Sequence, residues 1–242
     1  LQGVEEAFVK DLQTGAIEVA SLNAAGQLTG VGIVALSGQA ISDDGRYVVY
    51  ASNAGNIVPG VGSGTIQVYV RDLATDTTTL ASRSAAGAAA NSQSDLGAIS
   101  PNGRFVSFRS FATNLAGGPF ASRVYVHDRV TLATSSVPLP VLNAVTATGC
   151  RENDVADNGV VVLTCFFGSG LFDQVYLHIP GAAGTPFLIS SDINDVAGNQ
   201  VSGTRVAIDA SGLSMIFDSL ASNLVGNDFN GVSDSFILID EG

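Results

Sequence analysis

The stretch richest in potential chemistry is Asn-Asp-Phe-Asn-Gly-Val-Ser-Asp, residues 227–234 of a 242-residue chain. Asp228, Asn230 and Asp234, with a carbonyl near Val232, set hard oxygens around a glycine-bearing turn in the manner of the opening of a calcium loop. The bidentate Glu that closes a full loop of this type is missing. Two readings therefore stand, a calcium site with those three ligands or a solvated turn. The segment 191–199 offers Asp192, Asn194 and Asp195 in a similar but less complete way.

The two histidines, His127 and His178, fall at a strand position that Lys10 and Arg71 fill in related segments, which speaks for a place in a sheet and against catalysis. Neither Gly-Ser-Gly run, at 62–64 and 168–170, makes the Gly-x-Ser-x-Gly elbow of a serine nucleophile. No catalytic residue is assigned, the chain is expected not to be an enzyme, and calcium is the one cofactor considered. Cys150 and Cys165 lack Cys-x-x-Cys spacing and a nearby histidine, leaving a disulfide or two buried thiols. They flank the Asn158-Gly159 turn. Counting outward puts Cys150 within about one residue of facing Cys165, close enough for a bridge with a Cα separation of roughly 5.5–6 Å. A disulfide is the expectation, and with it an oxidising compartment.

Charged residues are 13% of the chain and the formal net charge is −12, with ten basic residues spread singly. That distribution lacks the clustered basic footprint that neutralises phosphates, so nucleic acid is excluded as an expected partner. The longest apolar runs, such as Val160–Phe167, fall far short of the roughly 20 residues of a spanning helix, and membrane insertion is not expected. With 46% apolar residues and 28 glycines, disorder is excluded as well. The sequence opens at Leu1 without a leader pattern and reads as a mature protein or as a piece of a longer one.

The chain repeats itself. ISDDGRYVVYAS (41–52) recurs as ISPNGRFVSFRS (99–110), VADNGVVVLTCF (155–166) and IDASGLSMIFDS (208–219), around Gly45, Gly103, Gly159 and Gly212. A second unit recurs five times, as EAFVKDL (6–12), QVYVRDL (67–73), RVYVHDR (123–129), QVYLHIP (174–180) and DSFILID (234–240). Between the units lie loops in which Asn56, Asn114 and Asn223 hold one place, a pattern that the third repeat breaks. An Asn side chain bonding its own loop explains that slot as well as ligand binding does.

Asp-Gly and Asn-Gly between two β-rich runs mark a tight hairpin. Two hairpin strands, the aromatic strand and a Thr/Val/Ser-rich run then give a four-stranded meander of about 50–60 residues, and that period points to a β-propeller. We expect an all-β, single-domain chain of about sixteen strands, in four to five four-stranded antiparallel blades. The repeats run over approximately 1–36 (partial), 37–94, 95–150, 151–203 and 204–242 (partial). The Asp-Gly-Arg turn, repeated as Asn-Gly-Arg at 102–104, is explained by its backbone needs before any recognition role.

The hairpin S-x-DGR-[YF]-V-x-[YF]-x-S followed by V-[YF]-V-[RH]-D resembles the TolB-like, WD-related propeller repeat of secreted bacterial proteins. The resemblance covers nearly the whole chain, although Trp is absent. It implies a secreted, extracellular or periplasmic, non-catalytic binding or scaffold module whose partner is a protein or a cell-surface glycan. Two rival expectations are a structural subunit that assembles with copies of itself, head to tail, through its incomplete terminal blades, and an accessory propeller domain of a hydrolase.

Overall fold

The computed structural model describes residues 5–29, 33–35, 38–116, 122–168, 170–182 and 184–239. These form nineteen β-strands and no helix, so the chain is all-β. Strands β1 (Phe8–Lys10) and β2 (Ile17–Val19) make an N-terminal pair. Sheet I is β3 (Ile33–Ala35), β4 (Tyr47–Ser52), β5 (Gln67–Asp72) and β6 (Thr77–Leu80). Sheet II is β7 (Ser94–Ile99), β8 (Phe105–Ser110), β9 (Arg123–Asp128) and β10 (Thr134–Ser136). A small hairpin, β11 (Val141–Leu142) and β12 (Val145–Thr146), precedes sheet III, which is β13 (Gly149–Val155), β14 (Val161–Phe166), β15 (Gln174–His178) and β16 (Phe187–Leu188). Sheet IV has β17 (Ser202–Ile208), β18 (Ser214–Ser219) and β19 (Asp234–Ile239). Strands run antiparallel in sequence order within each sheet, and no sheet closes on itself. The hairpin β11–β12 was not expected from the repeat; Asn143 and Ala144, both at positive φ, form its turn. Each first strand begins slightly before the repeat limits set by turn spacing, at 33, 94, 149 and 202. Asp240, which ends the last copy of the second unit, and Ser169 of the second Gly-Ser-Gly lie outside the described residues.

The four hairpin glycines all take positive φ: 72° at Gly45, 74° at Gly103, 82° at Gly159 and 78° at Gly212. Asp44, Asn102 and Asn158 each accept the N–H two residues on, at 2.9–3.1 Å, which holds the turn. The third turn is a residue shorter than the others. Ser42, Ser100 and Asp209 donate to the carbonyls of Tyr47, Phe105 and Ser214, whereas Ala156 donates to Val160. Val160 thus takes Tyr47's place, and the arginine of the first two turns has no counterpart. The residue-by-residue alignment of 155–166 with 41–52 slips by one after Gly159. The ladders agree, since Cys165 faces Gln174 as Ser52 faces Gln67.

Successive sheets pack face to face. Val49, Val68 and Val70 of sheet I meet Ile99, Val106 and Phe108 of sheet II. Val124 and Val126 meet Val155, Val161 and Leu163 of sheet III; Val162 and Val175 meet Ile208, Met215 and Phe217 of sheet IV. Each such side chain contributes roughly 1.5–3 kcal/mol on full burial. Tyr50–Tyr69, Phe108–Tyr125 and Phe217–Phe236 stack across neighbouring strands at 5.7, 5.8 and 5.3 Å; in sheet III Leu163 faces Tyr176 instead.

The hairpin turns also bond to one another. Asp43 N–H donates to Pro101 O (2.8 Å), Asn102 N–H to Asp157 Oδ1 (2.7 Å) and Asp157 N–H to Ala210 O (3.0 Å). Gly103 lies so close to the Tyr47 ring that a Cβ there would come within 2.3 Å of it, whereas Gly45 faces open space.

Candidate functional site

The first strands of the sheets carry a shared irregularity. Register shifts fall between Ile33 and Ala35, Asp95 and Ala98, Cys150 and Asn153, and Ser202 and Val206. Such bulges re-aim the side chains beside them; here Leu96 takes a φ of 49°. A recess of about 320 Å³ lies among these segments, lined by Gly38, Leu96, Glu152, Asn153, Arg205 and Val206. It therefore draws residues from sheets II, III and IV and from the connection between β3 and β4 of sheet I. Two other recesses, of about 390 Å³ near Arg83 and about 960 Å³ between β1–β2 and the Asp44 turn, each draw on two sheets at most.

Asn153 sits at the heart of this recess with 7% exposure. Its Nδ2 donates to Leu96 O (3.1 Å) and Arg151 O (3.0 Å), tying β13 to β7, while its Oδ1 is buried with no hydrogen-bond partner. An orphaned buried acceptor costs about 1–3 kcal/mol. Beside it, burial raises the Glu152 carboxyl above its ordinary pKa, opposed by the arginines Arg151 and Arg109. Arg109 is itself engaged with Asp95 through two hydrogen bonds of 2.7 Å, and Arg151 pairs with Asp173. Asp218 accepts from the Thr204 hydroxyl and from the Arg205 N–H. The residues lining the recess thus carry a buried, unpaired amide oxygen, a half-buried carboxylate and the exposed Arg205 side chain.

The residues singled out in the sequence are placed elsewhere. In the 227–234 loop, Asn230 Oδ1 accepts the Val232 N–H at 3.0 Å, with Asn227 and Gly231 at positive φ. Asp234 opens β19 opposite Ser219, and Asp228 Oδ1 is buried without a hydrogen-bond partner. Asp192 accepts the N–H groups of Asn194 (2.8 Å) and Val196 (2.9 Å) in a tight turn, with Asp195 at positive φ. Among the described residues, no group of three or more His, Cys, Asp or Glu side chains gathers as a metal centre.

His127 is buried against Thr134, whose hydroxyl gives its proton to Arg83 O at 2.7 Å. The 3.0 Å contact to Thr134 is then donated by His127 Nδ1. Burial, with nearby Arg83, pushes this imidazole down to about 4, and burial lowers His178 too. Arg71 holds the same slot in sheet I, bonded to Asp76 (2.6 Å) and reaching Thr78, whose hydroxyl donates to Leu22 O. The arginines of the Asp-Gly-Arg (44–46) and Asn-Gly-Arg (102–104) turns are likewise absorbed by structure. Arg46 makes two bonds to Asp72 (2.8 and 2.7 Å) and Arg104 two to Asp128 (3.1 and 2.8 Å). Asn114 and Asn223 bond a neighbouring loop and not their own: Asn114 accepts from Asn91 N–H and Asn223 from Asn199 N–H, at 2.9 and 2.8 Å.

Cys150 and Cys165 face each other directly across β13–β14 and form a disulfide, with Cα atoms 3.9 Å apart. The same ladder position in sheet II holds a Ser94–Ser110 hydroxyl pair at 2.8 Å, and in sheet IV a Ser202–Ser219 pair at 2.7 Å. The cysteines thus fill a slot that elsewhere holds a serine hydrogen bond.

No protein-family model matches the sequence, and no curated protein is significantly similar to it.

Proposed function

We propose that the chain is a TolB-like, WD-related β-propeller, with sheets I–IV as blades and β1–β2 as part of a further one, acting as a secreted non-catalytic binding module. The observation that carries this reading is the recess at Asn153, where bulges in the first strands of sheets II, III and IV bring Leu96, Glu152 and Arg205 together beside Gly38 of the β3–β4 connection. A point at which repeated sheets converge is where a ring of blades would recognise a ligand. The disulfide is compatible with an extracellular or periplasmic home.

The chemistry of the recess favours a primary ammonium group, such as the end of a lysine side chain on a partner protein. Its N–H donors would satisfy Asn153 Oδ1 and its charge would neutralise Glu152, while the net charge of −12 draws cations in. Arg205 is available to a carboxylate on the same partner. The test is binding of n-butylammonium, followed by NMR shifts, against tetramethylammonium, which carries the charge without donors. Binding of the first alone, lost in Asn153→Leu, is expected. Equal response to both, or to neither, overturns the reading.

A further inference from the structure

The row of packed sheets ends in two apolar faces that it buries everywhere else. On sheet IV, Ile216 faces Ile237 across β18–β19 and the two are 42% and 67% exposed. Their counterparts in sheet I, Val49 and Val70, face each other in the same register and are 0% and 1% exposed, packed on sheet II. Ile239, 68% exposed, extends this face. At the opposite end Phe8 takes the place in β1 that Tyr69, Tyr125 and Tyr176 take in β5, β9 and β15. Those tyrosines are at most 1% exposed, but Phe8 is 54% exposed, and Ile17 on the same side of the pair is 63% exposed.

These are the two halves of one interface, the contact that each sheet makes with the next. The forward half is bare on sheet IV and the backward half is bare on β1–β2. Asp218, which accepts from the Thr204 hydroxyl and the Arg205 N–H, lies on the first, and Lys10 lies on the second. We propose that the open face of sheet IV docks on the open face of β1–β2 of a second copy of this chain, continuing the sheet-on-sheet stack from molecule to molecule. A single chain that carries both halves is self-complementary, and the contact is head to tail, so it propagates or closes according to geometry. The occupant is a whole sheet laid face-on, which differs from exchange of an edge strand.

The test is sedimentation velocity of the full 242-residue chain over a concentration series, with Phe8→Asp and Ile237→Asp as single variants. The wild type should shift to dimers and longer species as concentration rises, and each variant alone should stay monomeric. An equimolar mixture of the two variants should restore a dimer and nothing longer, because one intact half remains on each. Circular dichroism and thermal midpoints check folding; should either variant unfold, Ile17→Lys and Ile239→Lys replace them. A wild type that is monomeric throughout overturns the proposal, as does a single variant that still associates or a mixture that stays monomeric. These outcomes leave the recess at Asn153 untouched, so the two readings fail separately.

Discussion

Sheets II and III are neighbours built on the same four-stranded plan, yet they hold their strands together by different chemistry. Sheet II ties its hairpin turn to β9 with the Arg104–Asp128 pair, closes β7–β8 with two serines and stacks Phe108 on Tyr125. Sheet III has a turn one residue shorter with no arginine, Ile179 where the aspartate stood, Leu163 in place of the aromatic and a disulfide in place of the serine pair. The losses go together, because an aspartate left without its arginine would be a partly desolvated, unpaired charge. One covalent link stands where several weaker contacts were removed.

The largest test of that contrast is Cys150→Ala with Cys165→Ala. Opening a loop of sequence separation 15 should cost about 3 kcal/mol in urea denaturation. Cys150→Ser with Cys165→Ser rebuilds the pair found in sheets II and IV and should recover about 0.5–1.5 kcal/mol of it. A double serine variant no better than double alanine would show that the slot does not accept a hydroxyl pair.

Gly103→Ala and Gly45→Ala separate backbone strain from packing at the hairpin turns. Both residues sit at φ near 72–74°, but only at Gly103 would the new methyl strike the Tyr47 ring. Gly45→Ala should cost about 1–2 kcal/mol, and Gly103→Ala a further 1–3 kcal/mol or so, read from denaturation midpoints.

A smaller effect comes from pH. His127 in sheet II has its folded pKa depressed to about 4, so the unfolded chain binds more protons below about 6.5 and stability falls on acidification from there to about 4. Asp154 in sheet III is raised by burial to about 6, so the folded chain holds the extra proton and stability falls as pH rises from about 4 to 6. The two slopes oppose. His127→Gln should unmask falling stability with rising pH in that window, and Asp154→Asn the reverse, both read from thermal midpoints. Two parallel profiles would refute the assignment.

Smallest is the arginine clamp. Arg46 is 40% exposed and its pair with Asp72 is screened by solvent, so a double-mutant cycle between them should give the smallest coupling of the set. The hydrogen bonds from Arg46 hold Asp72 down at about 2, so this contribution is full above the unfolded carboxylate value of about 3.9 and disappears as pH falls through about 2.

How much of this is legible in the sequence depends on whether a position keeps its residue type. The turn glycines, the aromatic strand and the facing cysteines are visible because backbone sign, strand alternation and turn counting constrain them locally. The shortened third turn is hidden by Val160-Val161-Val162, where a slip of one residue exchanges valine for valine. The recess is hidden for the opposite reason. Its segments contribute glycine, leucine, glutamate and arginine, and a search for self-similarity passes over positions at which the repeats differ. The loop asparagines and the turn arginines Arg46 and Arg104 recur from repeat to repeat, and recurrence marks the scaffold.

The turn-to-turn bonds give synthesis a direction. Asp43, Asn102 and Asp157 each give an N–H to the turn that follows in sequence. As the chain leaves the ribosome, the first three hairpins therefore emerge with an N–H that water holds until the next hairpin arrives to accept it. The first three turns wait on their successors, and the chain of turns locks one step behind the growing end.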